Sequence, residues 1–362
     1  MSNNNIVFIH LFNNFSGSPR VLSQVIDIAL KKFDHVELIT NQSSGFLNKS
    51  NCKKIIIPYK RYNSKIFTLM SFLNYQIRLF IKILSYRNRN YKIYINTTMP
   101  LAAAVAGKII GKQIIFHWHE TSMSNLQNMI IRFIVKHTSS INIYVSEYLK
   151  NSKEIESIQS IVIYNSLSRN FVQKAIEEPY KLNKKINVLM VSSLRKFKGI
   201  DKLIDISNKC LVNDNIVFEL VVDSTKREIK NYFNNTTIPS NLKIHESTSD
   251  IHQFYKNANI LLNLTNRKMR VETFGMTVLE AMAYSIPSIV PTVGGPTELI
   301  KNEVNGYQID SNDTNEIARV ILNLESNKFK LQNMSTSSKN MLNKFDFKYF
   351  EEKINHVFDI LL

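Results

Sequence analysis

From Val271 to Ile300 the chain reads VETFGMTVLEAMAYSIPSIVPTVGGPTELI. Glu272 and Glu280 stand eight positions apart, with a turn-like Thr-Phe-Gly at 273–275 and an apolar helical run behind it. A helix starting near Met276 turns its unpaired backbone N–H groups and positive dipole end back toward Gly275, a ready seat for an anion such as a diphosphate. Glu280 falls about one turn inside that helix and Glu272 lies in the loop before it. Two carboxylates flanking a phosphate-binding helix end can accept hydrogen bonds from hydroxyls on either side of the phosphate. A nucleotide sugar has this layout, with ribose on one side and hexose on the other. An isolated glutamate pair at this spacing is ordinarily a solvated helix face, so the weight rests on the whole string, including the second glycine turn at Gly294-Gly295 that leads into Pro296-Thr297-Glu298.

Around this stretch runs a βα series. Asn187–Ser192, Phe218–Asp223, Leu242–His245, Ala258–Leu264 and Ser288–Pro291 read as strands. Helical patterns fall at Asp201–Lys209, Lys226–Phe233, Ile251–Lys256, Thr277–Tyr284, Asn315–Glu325 and Phe347–Leu361. An earlier series opens the chain: strands at Ile6–Phe12, Val36–Thr40, Lys54–Pro58, Lys92–Asn96, Gln113–His117, Ile141–Val145 and Ser160–Tyr164, with helices between them. Strand alternating with helix predicts parallel sheets covered on both faces. The expected fold class is α/β: two parallel-sheet domains with a cleft between them, since such sheets bind ligands beyond their strand C-termini. The expected boundaries are 1–168, a linker over 169–185, a second domain over 186–345, and a closing helix over 346–362.

At 362 residues the chain suits two domains, and 44% hydrophobic with 21% charged residues is ordinary for a globular protein. MSNNNIVFIHLF has no cationic start or long apolar segment, which predicts no cleaved signal. Cys52 and Cys210 show no metal spacing, which predicts a reduced, cytoplasmic protein. The net charge of +17 is concentrated early: residues 1–181 hold 23 Lys+Arg against 9 Asp+Glu, hence +14. Between Glu37 and Glu120 there is no acid at all, against 13 basic residues. Such a half invites an anionic membrane surface, a phosphate-bearing acceptor or nucleic acid. A codon bias toward Lys, Asn and Ile explains part of the excess but not the missing acids.

The 271–300 string resembles the E-x7-E region of the retaining glycosyltransferases of family 4, including EAMAxxxP and GGxxE. The resemblance covers nearly the whole chain, most strongly about 187–310, and implies the GT-B fold, in which two Rossmann-like domains face each other across a cleft and the last helix often crosses back to the first domain. It implies that Glu280 binds ribose hydroxyls and Glu272 a hydroxyl of the donor sugar. The backbone of Phe274, Gly275 and Met276 would contact that sugar, and the helix start at Thr277 and Val278 would hold the diphosphate. Ser193-Leu-Arg-Lys-Phe-Lys-Gly199 is similar to the family's GRLxxxKG. Lys198 matches, whereas Ser193 stands at the usual Arg position and Arg195 is displaced by two. Both Lys198 and Arg195 would offset charge on the departing nucleotide. Gly17 and Arg20 lie in a loop similar to the family's GGxxR, with Ser16 replacing the first Gly. HWHET resembles the segment whose histidine contacts the donor sugar. Strand alternation puts His117 and His119 on one face, and His119 is the one assigned. No Asp-x-Asp occurs, and neither metal nor other cofactor is expected.

The acceptor side is thinner. Ile66, Phe67, Met70, Leu73, Ile77, Phe80, Ile81 and Leu84 follow helical spacing within Ser64–Tyr86, interrupted by Asn74, Gln76, Arg78 and Lys82, which argues against a transmembrane span. The same stripe suits a helix packed into the core, or an interfacial helix extended by the 125–137 helix with Arg132 and Lys136. The expectation is a retaining, metal-independent transfer from a UDP- or GDP-sugar to a lipid-linked or saccharide acceptor in surface polysaccharide synthesis, peripheral to the inner membrane face. The rivals are a nucleotide-sugar epimerase or phosphorylase, a transferase-like protein without activity, and a basic nucleic-acid-binding module. The last leaves the acidic pair without a role, so nucleic acid is not expected as a partner.

Overall fold

The computed structural model describes residues 4–120, 124–178, 180–248 and 250–361. The chain forms two compact units, Met1–Asn165 with Lys348–Leu362, and Ser166–Phe347.

Unit 1 holds a parallel sheet of seven strands: β1 (Asn5–Ile9), β2 (His35–Thr40), β3 (Lys53–Ile56), β4 (Tyr91–Asn96), β5 (Ile114–Trp118), β6 (Ile141–Tyr144) and β7 (Gln159–Val162). Their order is β3-β2-β1-β4-β5-β6-β7. Every residue of β1, β4, β5 and β6 is buried, which is why these strands are rich in Ile, Val and aromatic residues on both faces, with Lys92, Asn96, His117 and Asn142 among the few buried polar exceptions. Right-handed crossovers from β3 to β4, β4 to β5 and β5 to β6 all step one way across the sheet. They therefore lay the helices Lys65–Leu84, Leu101–Ile109 and Asn125–Thr138 side by side on one face. The closing helix Phe347–Leu361 is also built into unit 1, where Phe358 meets Phe33 edge-on at 5.1 Å and Lys31 pairs with Glu351 at 2.8 Å.

Unit 2 holds six parallel strands: β8 (Ile186–Ser192), β9 (Ile216–Val222), β10 (Leu242–His245), β11 (Ile260–Leu262), β12 (Ser288–Val290) and β13 (Gly306–Gln308). The order is β10-β9-β8-β11-β12-β13. Ile186, Val188, Phe218, Leu220, Ile260 and Leu262 centre its core.

Two local expectations change, and one helix is added to those expected. The segment read as a linker carries a helix at Arg169–Ile176, capped by Ser168 and seated by buried Phe171 and Ala175; two apolar anchors in a polar run were too few to show periodicity. A second helix, Lys328–Leu342, buries only Leu331, Met334, Ser335 and Ser338, an equally faint signal. Finally, the Lys65–Leu84 helix is not packed into the core by its long apolar stripe. Tyr75, Leu79 and Ile83 are its buried side, while Ile66, Met70, Leu73, Ile77 and Ile81 face outward.

Candidate functional site

In unit 2 the chain runs from β8 outward to β9 and β10, then returns to lay β11 on the other side of β8. The loops after β8 and β11 thus part in opposite directions, and such a switch point opens a crevice beyond the strand C-termini. Lys198 lies on the first loop and Glu272 on the second. Lys198 Nζ meets Glu272 Oε2 at 2.7 Å, and the Thr265 hydroxyl lies 3.1 Å from the same oxygen. Burial pushes the Glu272 carboxyl up, but Lys198, the Thr265 hydrogen bond and nearby Arg270 together hold it below its ordinary value. Phe197 sits between the cations, its ring 5.7 Å from Lys198 Nζ and 5.1 Å from Arg270 Cζ. Gly199 closes the lysine turn at φ 76°, and a Cβ there would run into the Leu264 carbonyl, so the β8 loop rests on the end of β11. Arg195 is exposed, and among the described residues its side chain has no partner; its backbone serves the turn, N–H donating to Ser193 O at 2.7 Å and carbonyl accepting from Lys198 N at 2.8 Å.

Gly275 precedes the helix Met276–Ala283 at φ 103°, and no side chain caps that helix start. Val278 and Leu279 donate to the Gly275 carbonyl at 3.0 and 3.1 Å. Phe274 is buried with its ring 6.1 Å from Phe345, which leaves backbone rather than ring as its offering to a ligand. Val278 is likewise buried, whereas Met276 and Thr277 are part-exposed. The second glycine pair braces the Glu272 loop: Gly295 N donates to Glu272 O at 3.0 Å. A Cβ on Gly294 would meet Glu272 O, and one on Gly295 would meet Thr273 O. Glu280, only 7% exposed, accepts from the Tyr255 hydroxyl at 2.6 Å. Tyr255 stacks on Tyr284 at 5.6 Å. Beside Tyr255, Phe254 lines a cavity of about 490 Å³ with Lys226, Ile244, His245 and Ser247.

Unit 1 has its own switch point between β1 and β4. There His119 Nε2 lies 2.9 Å from Asn96 Oδ1, and Asn96 Nδ2 lies 3.0 Å from His10 Nδ1. The Asn96 carbonyl oxygen lies 3.3 Å from the same His10 Nδ1, and among the described residues the buried His10 Nε2 has no hydrogen-bond partner. The His117 ring lies tilted against that of His119, centroids 4.2 Å apart, as two residues on one strand face allow, and its Nδ1 lies 2.8 Å from the Tyr94 hydroxyl. Burial lowers His10 to about 4 and His117 to about 3, and holds His119 well below the ordinary range, so all three are neutral at pH 7. Asn96 Nδ2 also reaches the Ser18 carbonyl at 3.4 Å, next to Gly17, which opens the helix Gly17–Ala29. Arg20, on the same helix, places its guanidinium 5.8 Å from the Phe46 ring. Among the described residues no group of three His, Cys, Asp or Glu is placed to hold a metal ion.

The assigned residues thus fall into two sets, His119, Gly17 and Arg20 in unit 1 and the others in unit 2. Sequence reasoning missed His10, Asn96, Thr265 and Tyr255. For His10, Asn96 and Thr265 the one signal is position, at or just past strand ends beside each switch point, whereas Tyr255 lies within the short helix His252–Asn257.

Known proteins resemble this chain in sequence, over much of unit 2, and in fold. Residues 172–341 match the family model of the group 1 glycosyl transferases. An uncharacterised glycosyltransferase of Methanocaldococcus jannaschii is 27% identical over 223 residues, 60% of this chain and 59% of that protein. A probable sucrose-phosphate synthase of Vicia faba is 34% identical over 84 residues, 23% of this chain and 8% of that one. The chain therefore spans less than two thirds of these curated relatives. Among solved structures, Anabaena HepE in complex with UDP superposes with a TM-score of 0.79 at 19% identity, covering 99% of this chain and 100% of that one. The sucrose-phosphate synthase of Thermosynechococcus elongatus gives 0.78 at 15% identity, with 99% of each chain covered. The fold, two parallel-sheet Rossmann-like units, is that of GT-B glycosyltransferase structures.

Proposed function

We propose that the protein is a retaining, metal-independent glycosyltransferase of family 4 type, moving a sugar from a nucleotide donor to a lipid-linked or saccharide acceptor. The observation that carries the reading is the Lys198–Glu272 pair at the β8/β11 switch point, held at 2.7 Å beside an uncapped helix start. A diphosphate seated at Met276–Thr277 draws Lys198 away from Glu272. The released carboxylate then accepts a hydroxyl of the donor sugar, while Lys198 meets the charge that grows on the departing nucleotide. Glu280, steadied by Tyr255, takes the ribose hydroxyls. His119, Gly17 and Arg20 serve the donor as well; Arg195, exposed and unpartnered, has the weakest support.

In these motifs no carboxylate is placed as an obvious nucleophile, which favours substitution from one face. The C1–O bond to the phosphate breaks, a new bond from the acceptor oxygen to C1 forms on the same side, and the acceptor proton passes to the leaving phosphate oxygen. UDP in complex with Anabaena HepE supports a uridine donor, and a surface-polysaccharide acceptor at the inner face of the cell membrane accords with the basic first half. The test is donor hydrolysis over UDP-, GDP-, ADP- and dTDP-sugars in EDTA, without acceptor. One nucleotide should be released, Glu280→Ala should abolish its binding, and Lys198→Gln should slow release about 10²–10³-fold, the cost of one well-placed donor. A protein whose melting temperature no nucleotide shifts would overturn the reading, and an inverted anomer in the product would overturn the one-face route.

A further inference from the structure

We propose that the outer face of unit 1 formed by the helices Lys65–Leu84 and Asn125–Thr138 docks in the plane of an anionic lipid bilayer. This deepens the acceptor side of the proposed function, but it stands on the face itself and not on the transfer chemistry. An ordinary surface helix hides its apolar stripe and shows water its polar one. In Lys65–Leu84 the larger apolar stripe is outside: Ile66, Met70, Leu73, Ile77 and Ile81 follow spacings of three and four residues and are 52–70% exposed. Phe67 and Leu69 widen it. The neighbouring Leu101–Ile109 helix packs against both of the others and adds exposed Ile109. Asn125–Thr138 repeats the arrangement with Leu126, Met129, Ile130 and Phe133, again at helical spacing and again exposed. A run of a dozen large apolar side chains across three adjacent helices is far more than scattered surface hydrophobes.

Charge identifies the occupant. None of the three helices carries an Asp or Glu, while Lys65, Arg78, Lys82, Lys108 and Lys136 punctuate them. Arg132 belongs elsewhere: its guanidinium donates to the Lys153 and Glu154 carbonyls at 3.0 Å each, so its charge pins the helix rather than facing outward. A purely apolar partner would not need the cations, and a protein partner would need its own uninterrupted acidic rim. Anionic headgroups over acyl chains satisfy both halves of the pattern. The buried stripe of Tyr75, Leu79 and Ile83 fixes the helix flat against unit 1, so it lies in the interface rather than across it; among the described residues no helix is long and apolar enough to cross a membrane. Gln76 ties this helix to the loop after β4, donating to Met99 O at 2.7 Å and accepting from Ala102 N at 3.0 Å. A bilayer on this face is thereby joined mechanically to the loop that follows Asn96.

The experiment is co-sedimentation of the full chain with extruded vesicles of phosphatidylcholine alone and with phosphatidylglycerol added. Leu73→Ser/Ile77→Ser/Ile81→Ser and Arg78→Gln/Lys82→Gln are run beside it, with melting temperature and gel filtration as controls. The expected result is binding to the anionic vesicles at least tenfold stronger than to neutral ones. The serine variant should lose that binding more than tenfold at unchanged melting temperature, because the three positions are solvent-facing, and the glutamine variant should lose the preference for anionic lipid. Absence of binding to either vesicle overturns the proposal. So does equal binding by the serine variant, or a wild-type dimer that the serine variant turns into monomer, which would put a second copy on the face. Sugar transfer is not read at any point, so the outcome leaves the donor assay to judge the chemistry.

Discussion

At the scale of single residues, the two sheets place opposite electrostatics at their switch points. Unit 2 holds a charged pair, Lys198 with Glu272, ready to exchange partners; unit 1 holds three imidazoles that burial keeps neutral. The neutral set has a consequence for stability. A histidine whose folded value lies below its ordinary 6.5 binds fewer protons in the folded than in the unfolded chain. Its contribution is complete above pH 6.5 and is lost as the pH falls toward the folded values of about 4 for His10 and 3 for His117. Each should cost about 1.4 kcal/mol per pH unit through that window. Denaturant titrations at pH 7, 6, 5 and 4.5 should therefore show a steep loss, made shallower by His117→Phe; a flat profile would mean that these imidazoles protonate in place. The same pairing of clusters shows what residue-level reading can reach. Lys198 and Glu272 are legible because each adjoins a glycine turn whose purpose is local. His10 and Asn96 are not, since their contact joins residues 86 positions apart and exists only because β1 and β4 are neighbours.

At the scale of the element, the glycines of the 271–300 stretch act as spacers between chain segments. Gly294 has φ 108°, and an added Cβ would stand 2.5 Å from the Glu272 carbonyl oxygen. Gly111, at φ 69°, has nothing within 4 Å of the same atom. Alanine at 111 should thus cost only the backbone strain, about 1 kcal/mol. Alanine at 294 should cost clearly more and push the Glu272 loop aside. Urea melts of the two variants measure the difference, and nucleotide binding should weaken only for Gly294→Ala; equal losses would show that the close approach is relieved without moving the loop. Helix direction, by contrast, was not legible. The stripe Ile66, Met70, Leu73, Ile77, Ile81 has the same spacing whether it faces a core or a bilayer. What decides is the inner trio Tyr75, Leu79 and Ile83, which are not more apolar than the stripe they oppose. Periodicity finds the helix, and only packing assigns its inner side.

At the scale of the whole molecule, the chain enters unit 2 at Ser166 and comes back to unit 1 at Lys348. The return was expected from the family resemblance alone, because an amphipathic pattern over 347–361 does not say which core it will join. The structure makes the helix part of the unit 1 interior. Phe350, Ile354, Val357, Phe358 and Leu361 are all buried, Phe358 lies between Phe33 and Tyr94, and Lys353 donates to the Val162 carbonyl at 3.1 Å. Burying each such side chain is worth about 1.5–3 kcal/mol, so together they rival the ~5–15 kcal/mol by which a typical protein is stable. Ending the chain after Phe347 should therefore damage the part most distant in sequence. Hydrogen exchange should show β1 and β4 losing protection while β8, β9 and β11 keep theirs, since no residue of those strands depends on the lost helix for its sheet. Equal protection across both sheets would mean that unit 1 holds its core closed without the helix. A collapse of both together would mean that the two units unfold as one.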